Sequence, residues 1–393
     1  MKKKILIFST AYLPLIGGAE IAVKEITDRL PDHQFVLITA RLKKELPPEE
    51  KIGNIAVYRI GKGDSLDKLR LIWQGPKKAI ELGRFDLIWS IMASYAGLAA
   101  LNYKKKFKQI PLLLTLQEGG NPNEIYSKMI FCWRSFKNLF KSADRIQAIS
   151  NYLGRWAKKM GAKCPIDVVP NGVDIKKFFC SDETLRSKSR IEVLKNLKLN
   201  EPVKLIITTS RLEKKNGLND LIKSMSFLPD NCHLIIIGSG SLENKLKRLA
   251  TALIDRVHFL GKIDHKDIPK YLWTSDVFCR PSLSEGLGNS FLEAMAAGIP
   301  VVATPVGGIP DFLKDPSTSS GQVATGLFCK VHDPEDIASK IKLVLSDENQ
   351  RNYITNNAKK LVESEYNWDI ISQKMNQTFN QLLVPLEIQQ SIK

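Results

Sequence analysis

Short, mainly apolar runs recur along this chain, separated by stretches with helical spacing. In the first half the runs lie at 5–8, 35–39, 55–60, 87–91, 112–116, 146–149 and 167–169. Consecutive Val, Ile, Leu and Phe without alternation predict strands buried on both faces, as in parallel sheets. Between them, 19–30, 67–82 and 125–140 show helical periodicity, so the pattern reads as repeated βαβ units. Residues 175–202 are polar, rich in Lys, Ser and Glu, and read as a partly helical connection. The pattern then restarts, with strands predicted at 205–209, 234–237, 257–260, 277–279 and 301–303, and the chain is helical in character from Pro334 onward. The expected fold is α/β, with two doubly wound domains facing each other across a cleft and ligands at the carboxyl ends of strands. Residues 316–321 (Pro-Ser-Thr-Ser-Ser-Gly) read as a surface loop.

Composition narrows the class. With 393 residues, 44% hydrophobic and 25% charged, the chain is neither fibrous nor disordered. No run approaches the roughly 18 apolar residues of a membrane span. Lys2-Lys3-Lys4 followed by apolar residues imitates a signal peptide, but Ser9, Thr10, Pro14 and Gly17-Gly18 interrupt the run, as a first strand and glycine turn would. The scattered cysteines 132, 164, 180, 232, 279 and 329 lack paired spacing and read as buried reduced thiols of a cytoplasmic protein.

Charge adds a partner class. Residues 1–170 hold 29 basic and 15 acidic residues, a net of +14, whereas the remainder holds 29 and 26, a net of +3. Such asymmetry points to an anionic partner for the first half, either nucleic acid or a membrane surface. Residues 101–163 alone carry +10, and within them 129–141 interleave Phe131, Trp133, Phe136 and Phe140 with Arg and Lys on an expected helix. A basic amphipathic helix suits attachment to an anionic membrane surface; an apolar core face with solvated lysines is the other reading. No nucleic-acid module is recognisable, so no nucleic-acid partner is expected.

The most informative segment is 280–310, RPSLSEGLGNSFLEAMAAGIPVVATPVGGIP. After a strand comes a loop with Glu285, Gly286 and Gly288, then a helix that Asn289 or Ser290 can cap and Gly298-Ile299-Pro300 ends. A glycine-preceded helix N-terminus presents free N–H groups to a diphosphate. Glu285 and Glu293, eight positions apart, can accept hydrogen bonds from different sugar hydroxyls of one ligand. Spacing alone also permits a solvated Glu285 and a Glu293 that merely favours the first helical turn.

This segment resembles the Glu-x7-Glu signature of retaining glycosyltransferases with the GT-B fold, in the large family four. The resemblance covers nearly the whole chain, continuing through Gly17-Gly18-Ala19-Glu20, Pro170-Asn171-Gly172-Val173-Asp174, Ser210-Arg211-Leu212, Phe259-Leu260-Gly261 and Pro281-Ser282. It implies a nucleotide-sugar donor (a UDP- or GDP-sugar), a saccharide or lipid-linked acceptor, and a role in cell-envelope polysaccharide or glycolipid synthesis. It implies that Arg211, Lys215 and Glu285 carry the chemistry: Arg211 and Lys215 clamp the diphosphate and offset the leaving group's charge, and Glu285 touches the donor sugar. Lys214-Lys215-Asn216-Gly217 is more crowded than the family's usual Lys-Gly, and Lys215 is chosen over Lys214. Glu293 would accept from the ribose hydroxyls, Asn289 and Ser290 would offer N–H groups, and Gly17, Gly18, Asn171, Gly261 and Gly288 would complete the donor site. His258 is read as a satisfied strand histidine rather than one stacked on the base.

One departure is informative. Gln117-Glu118 stands on the acceptor side where the family often has His, and Gln cannot exchange protons. Same-face displacement, in which the departing phosphate assists the incoming hydroxyl, is what the family implies. No Asp-x-Asp is placed for a metal, so the enzyme is expected to need none. The expected domains are 1–174 with about 370–393, a connection at 175–202, and a donor domain at 203–369. The expected location is the cytoplasm, peripheral on the inner membrane face. The alternatives are a nucleotide-sugar 2-epimerase of the same fold and a non-catalytic nucleotide-sugar binding protein.

Overall fold

The computed structural model describes residues 2–316 and 323–384, Lys128 by its backbone alone. Most of the expected 316–321 loop and residues 385–393 of the expected terminal segment therefore lie outside the described residues. The chain forms two compact units. The first comprises the described parts of Met1–Glu118, Pro122–Asn171 and Trp368–Lys393; the second comprises Gly119–Asn121 and those of Gly172–Asn367.

The first unit is built on β1 (Lys3–Ser9), β2 (His33–Ala40), β3 (Glu49–Ile52), β4 (Ile55–Ile60), β5 (Leu87–Ile91), β6 (Leu112–Leu116), β7 (Arg145–Ala148) and β8 (Ile166–Val168). They form one sheet in the order β3-β4-β2-β1-β5-β6-β7-β8. Every pairing is parallel except β3 with β4. Ile5, Leu6, Ile7 and Phe8 are fully buried because helices cover both faces of this central strand. The order reverses between β1 and β5, so residues 10–18 and 92–94 leave the sheet side by side at its carboxyl edge; Thr10 Oγ1 and Ser94 Oγ lie 3.0 Å apart there. The polar edge strand β3, Glu-Glu-Lys-Ile, has no apolar run and escaped the sequence reading.

The helix Trp368–Leu383 belongs to this unit and packs on the helix Gly18–Asp28 and on β5. Its buried residues Trp368, Ile371, Met375 and Phe379 follow helical spacing and join the core. Phe379 sits edge-on to Trp89 with ring centroids 5.0 Å apart. At the rim, Arg29 Nε donates to Asp369 at 2.7 Å, and His33 Nε2 lies 2.8 Å from Asn376 Oδ1.

The second unit is built on β9 (Lys204–Thr209), β10 (Cys232–Ile237), β11 (Val257–Gly261), β12 (Val277–Arg280), β13 (Val301–Ala303) and β14 (Leu327–Phe328). The order is β11-β10-β9-β12-β13-β14, parallel throughout. The two-residue β14 was too short to be read from sequence. Here the order reverses between β9 and β12, which places 210–217 beside 281–288. The segment 175–202 carries the helices Ile175–Phe178 and Glu183–Leu197 and is part of this unit.

Three local expectations are corrected. The helix expected over 125–140 is broken into Pro122–Lys128, a 3-10 turn Ile130–Cys132 and Trp133–Ser142. The break re-phases the chain: Met129, Phe136 and Phe140 enter the core, while Phe131 is fully exposed. Phe136 and Phe140 are therefore unavailable to a membrane. Lys104, one of the cations in the 101–163 surplus expected to face an anionic surface, is engaged internally, donating to Asp144 at 2.8 Å and to the carbonyls of Lys108 and Ile110. Finally, Gly288 rather than Asn289 or Ser290 caps the helix Asn289–Ala296.

Phe379 measures the terminal helix's share of the first core. Phe379→Ala should lower unfolding stability by about 3–5 kcal/mol, because a large ring is lost from a filled site. Replacement of exposed Lys374 on the same helix should change it by less than about 0.5 kcal/mol. Urea titration of both variants checks this; equal midpoints would mean that the helix contributes little to the first unit.

Candidate functional site

In the second unit, the loops after β9 and β12 meet at the sheet's reversal point. Gly217, at φ +67°, makes the meeting possible: a Cβ there would stand 1.8 Å from the Pro281 carbonyl oxygen. The Leu283 and Ser284 N–H groups donate to the Lys215 carbonyl at 2.6 and 3.3 Å. Lys215, not the exposed Lys214, turns inward, and its ammonium donates to the Gly119 carbonyl at 3.1 Å. Burial pulls its pKa below the usual lysine value, against the opposing pull of Glu285. A Cβ on Gly119 would stand 2.9 Å from Lys215 Nζ and 3.2 Å from Glu285 Oε1, so three predicted or neighbouring groups converge there. Arg211 points outward, its side chain 69% exposed and 3.3 Å from Glu213.

Arg280, which the sequence reading missed, organises the second loop. It ends the buried strand β12, and its guanidinium is buried, which pulls its pKa down against Glu285 and Glu293. Its NH2 donates to Glu285 Oε2 at 2.8 Å, its NH1 to Ser290 Oγ at 2.6 Å and to the Thr209 carbonyl at 3.3 Å, and its Nε to Ser282 Oγ at 3.2 Å. The cation lies 4.2 Å over the Phe291 ring. Glu285 is thus buried and paired rather than solvated, with Oε1 accepting from the Gly286 N–H at 3.1 Å. Gly288, at φ +93°, has no room for a Cβ, which would fall 2.5 Å from the Phe291 ring and 2.8 Å from the guanidinium. A charged residue closing an apolar strand was the available signal for Arg280.

Glu293 lies one turn inside the helix, its Oε1 2.8 Å from His265 Nε2. Asn289 is the first residue of that helix, and Gly261 ends β11 in the left-handed region at φ +68°. His258 stacks on His233 with ring centroids 5.4 Å apart, and burial pushes its pKa down to about 4. It is engaged within the sheet, as read from sequence.

The first unit gathers a separate group. Gln117 and Glu118 follow β6, and Asn171 Nδ2 donates to Gln117 Oε1 at 3.1 Å. Asn171, expected with the donor residues, therefore stands beside the pair expected on the acceptor side. Glu118 is 4% exposed; Oε1 accepts from the Ala93 N–H at 2.5 Å, and Oε2 has no hydrogen-bond partner among the described residues. Burial pushes its pKa up to about 7, against the backbone N–H groups that favour the carboxylate. Gly17 caps the helix that Gly18 begins, on the loop leaving β1.

Among the described residues no three His, Cys, Asp or Glu side chains are grouped to hold a metal ion, and no helix is long and apolar enough to cross a membrane. All six cysteines are free, four of them buried. A buried cation beside a paired carboxylate, followed by a glycine-capped helix, can receive a phosphorylated, hydroxyl-rich ligand.

Comparison with known proteins bears on this arrangement. Residues 16–177 match the model of Glycosyltransferase Family 4, and residues 189–361 that of Glycosyl transferases group 1. The chain is 30% identical over 386 residues to a GDP-mannose-dependent monoacylated alpha-(1-6)-phosphatidylinositol monomannoside mannosyltransferase of Corynebacterium glutamicum, covering 95% of this chain and 97% of that one. Among solved structures, sucrose-phosphate synthase from Thermosynechococcus elongatus superposes with a TM-score of 0.81 at 21% identity, covering 97% of this chain and 99% of that one. Anabaena HepE in complex with UDP-glucose superposes with a TM-score of 0.79 at 21% identity, covering 96% and 100%. At such identities the superpositions establish the fold, GT-B with two parallel-sheet α/β domains.

Glu118 gives the first unit a pH signature. The unfolded chain releases this proton near pH 4.5 and the folded one near 7, so the folded state binds more protons in between. Stability from this group therefore falls as pH rises through that window and stays low above it. Glu118→Gln keeps the acceptor for Ala93 without the charge. Its stability relative to wild type should improve by roughly 3 kcal/mol between pH 4.5 and pH 8. Urea titrations at both pH values check this; a constant difference would mean that Glu118 ionises normally.

Proposed function

The chain belongs to glycosyltransferase family four, the group 1 glycosyl transferases, and from that premise we propose that it moves a hexosyl unit from a UDP- or GDP-sugar to a saccharide or lipid-linked acceptor, with retention of anomeric configuration. The observation that carries this reading is the convergence of Lys215 and Glu285 at the reversal point of the second sheet, ahead of the helix Asn289–Ala296. Inward-turned Lys215 and exposed Arg211 bind the donor diphosphate and offset the charge that grows as the bond from phosphate oxygen to the sugar's anomeric carbon breaks. Glu285, held by Arg280, orients the sugar by accepting its hydroxyls. The backbone N–H groups at Asn289 and Ser290 take phosphate oxygens, and Glu293 takes the ribose. The acceptor hydroxyl attacks from the face the phosphate leaves, and its proton passes to the departing phosphate oxygen. Such a step needs no protein nucleophile, consistent with Gln117 standing where the family often has His. Arg and Lys do the work of a metal, so turnover is metal-independent.

A panel of UDP- and GDP-hexoses tests this. At least one nucleoside diphosphate should raise the melting temperature, since a ligand that binds only the folded state stabilises it. With acceptor present, the new anomeric proton should keep the donor's configuration by NMR, and EDTA should leave the rate unchanged. An inverted product removes the retaining step, loss of turnover with EDTA restored by Mg²⁺ removes metal independence, and an epimer formed from donor alone removes transfer altogether.

The Corynebacterium relative is named for GDP-mannose and a monoacylated phosphatidylinositol monomannoside, and the present chain carries its basic surplus on the first half. These support a peripheral role at an anionic inner membrane face, in envelope polysaccharide or glycolipid synthesis. Leu66, Leu69, Trp73 and Ile80 are exposed at helical spacing along and just before the helix Asp67–Glu81, with exposed Lys77 among them. Trp73 is 62% exposed. Each cation near an anionic leaflet contributes about 1 kcal/mol. Co-sedimentation should require anionic vesicles, fall with salt, and weaken when Trp73 becomes Ser or when exposed Lys105, Lys106 and Lys108 become Glu. A wild type that ignores anionic vesicles at low salt makes the acceptor a soluble saccharide.

A further inference from the structure

Three polar side chains of the second unit form a chain to which the reading above gives no role beyond its last member. Lys177 Nζ lies 2.8 Å from His265 Nδ1, and His265 Nε2 lies 2.8 Å from Glu293 Oε1. Lys177 comes from the short helix Ile175–Phe178, His265 from the loop between β11 and the helix Ile268–Trp273, and Glu293 from the helix Asn289–Ala296. Their chemistry fixes the protons. An ammonium only donates, so Nδ1 must accept, and the ring hydrogen stands on Nε2, facing the carboxylate. The imidazole is thus the neutral link between a cation and an anion. The Phe178 ring packs against it, centroids 5.5 Å apart and tilted 59°.

The arrangement leaves Glu293 half used. Oε1 takes the imidazole N–H, Oε2 has no hydrogen-bond partner among the described residues, and the side chain keeps 13% exposure. A competing attraction exists, because Glu293 also acts electrostatically on the buried Arg280 guanidinium. Without the imidazole the carboxylate has reason to turn toward that cation. His265 is not itself a core residue: it sits on a loop, its ring against Phe178, and its side chain is 36% exposed.

We propose that Lys177 and His265 are positioning residues for donor selection, holding Glu293 so that its remaining oxygen meets the vicinal hydroxyls of a ribose. The proposal rests on the ribose role given to Glu293 above. It makes His265 a determinant of ribonucleotide over deoxyribonucleotide affinity without touching the ligand.

Calorimetric titration with UDP, GDP and their 2′,3′-dideoxy counterparts tests it, using the nucleotide that binds. Wild type should prefer the ribonucleotide, and Glu293→Ala should erase the preference. His265→Leu should weaken ribonucleotide binding by about three- to tenfold, the range of one ordinary hydrogen bond, since Glu293 stays in place but is no longer held, and leave dideoxynucleotide binding within about twofold. His265→Gln, whose amide N–H can reach Oε1, should recover part of the loss, and Lys177→Met should fall between; these two carry the test if His265→Leu does not fold. No preference in wild type overturns the ribose role itself. A preference lost in Glu293→Ala but intact in His265→Leu, or an equal fall for both nucleotides in His265→Leu, overturns the positioning role and leaves the ribose role standing.

Discussion

A guanidinium buried at the end of β12 constrains everything around it in the second unit. Moving such a cation out of water costs several kcal/mol unless its donors are filled and an opposite charge is close. Arg280 meets this need with Glu285, Ser290, Ser282, the Thr209 carbonyl and the face of Phe291. Together these partners span three pieces of the site: the end of β9, the loop after β12, and the first turn of the following helix. None of these pieces can relax without leaving a charge or a donor unpaired in the interior. The position of Glu285, the start of the helix and the Lys215 loop that rests on residues 283–284 all follow from that demand.

The first unit treats a buried charge in the opposite way. Glu118, at the carboxyl end of β6, has among the described residues no cation as hydrogen-bond partner and one oxygen without any. Burial then favours the neutral acid, and the Ala93 N–H tethers it across to the end of β5. The two sheets share a topology with one reversal point each. At the carboxyl ends of their strands, however, one gathers paired charges suited to a phosphorylated ligand, and the other a carboxyl whose burial favours its neutral form, with the amides Gln117 and Asn171.

The distribution of cations and aromatics changes meaning in three dimensions. Along the chain, Phe131, Trp133, Phe136 and Phe140 look like one face of a basic helix. The turn at Ile130–Cys132 splits them, so Phe136 and Phe140 fill the core and Phe131 alone is fully exposed. Lys104 belongs to an internal network with Asp144. On the helix Asp67–Glu81, by contrast, Leu69, Trp73 and Ile80 face outward among basic residues.

Strand and helix identity, the two-domain α/β class and the Glu285–Glu293 segment were legible from residue order, because each depends on neighbours within a few positions. Twelve apolar runs announced strands; β3 and β14 stayed hidden, one polar and one only two residues long. The choice of Lys215 over Lys214 could be guessed locally, yet only the fold shows which one is inward. Asn171 beside Gln117, and Lys177 with His265 and Glu293, could not be read, since 54 positions separate the first pair and 116 the ends of the last chain; Arg280 and Glu285 are near in sequence, but that both are buried follows only from the fold. The solvent exposure of a polar group sets its charge and partners, and that exposure exists only once distant strands have paired. The residue pattern determined what would be buried; the tertiary structure decided which polar groups were buried with it, and therefore which of them had to find each other.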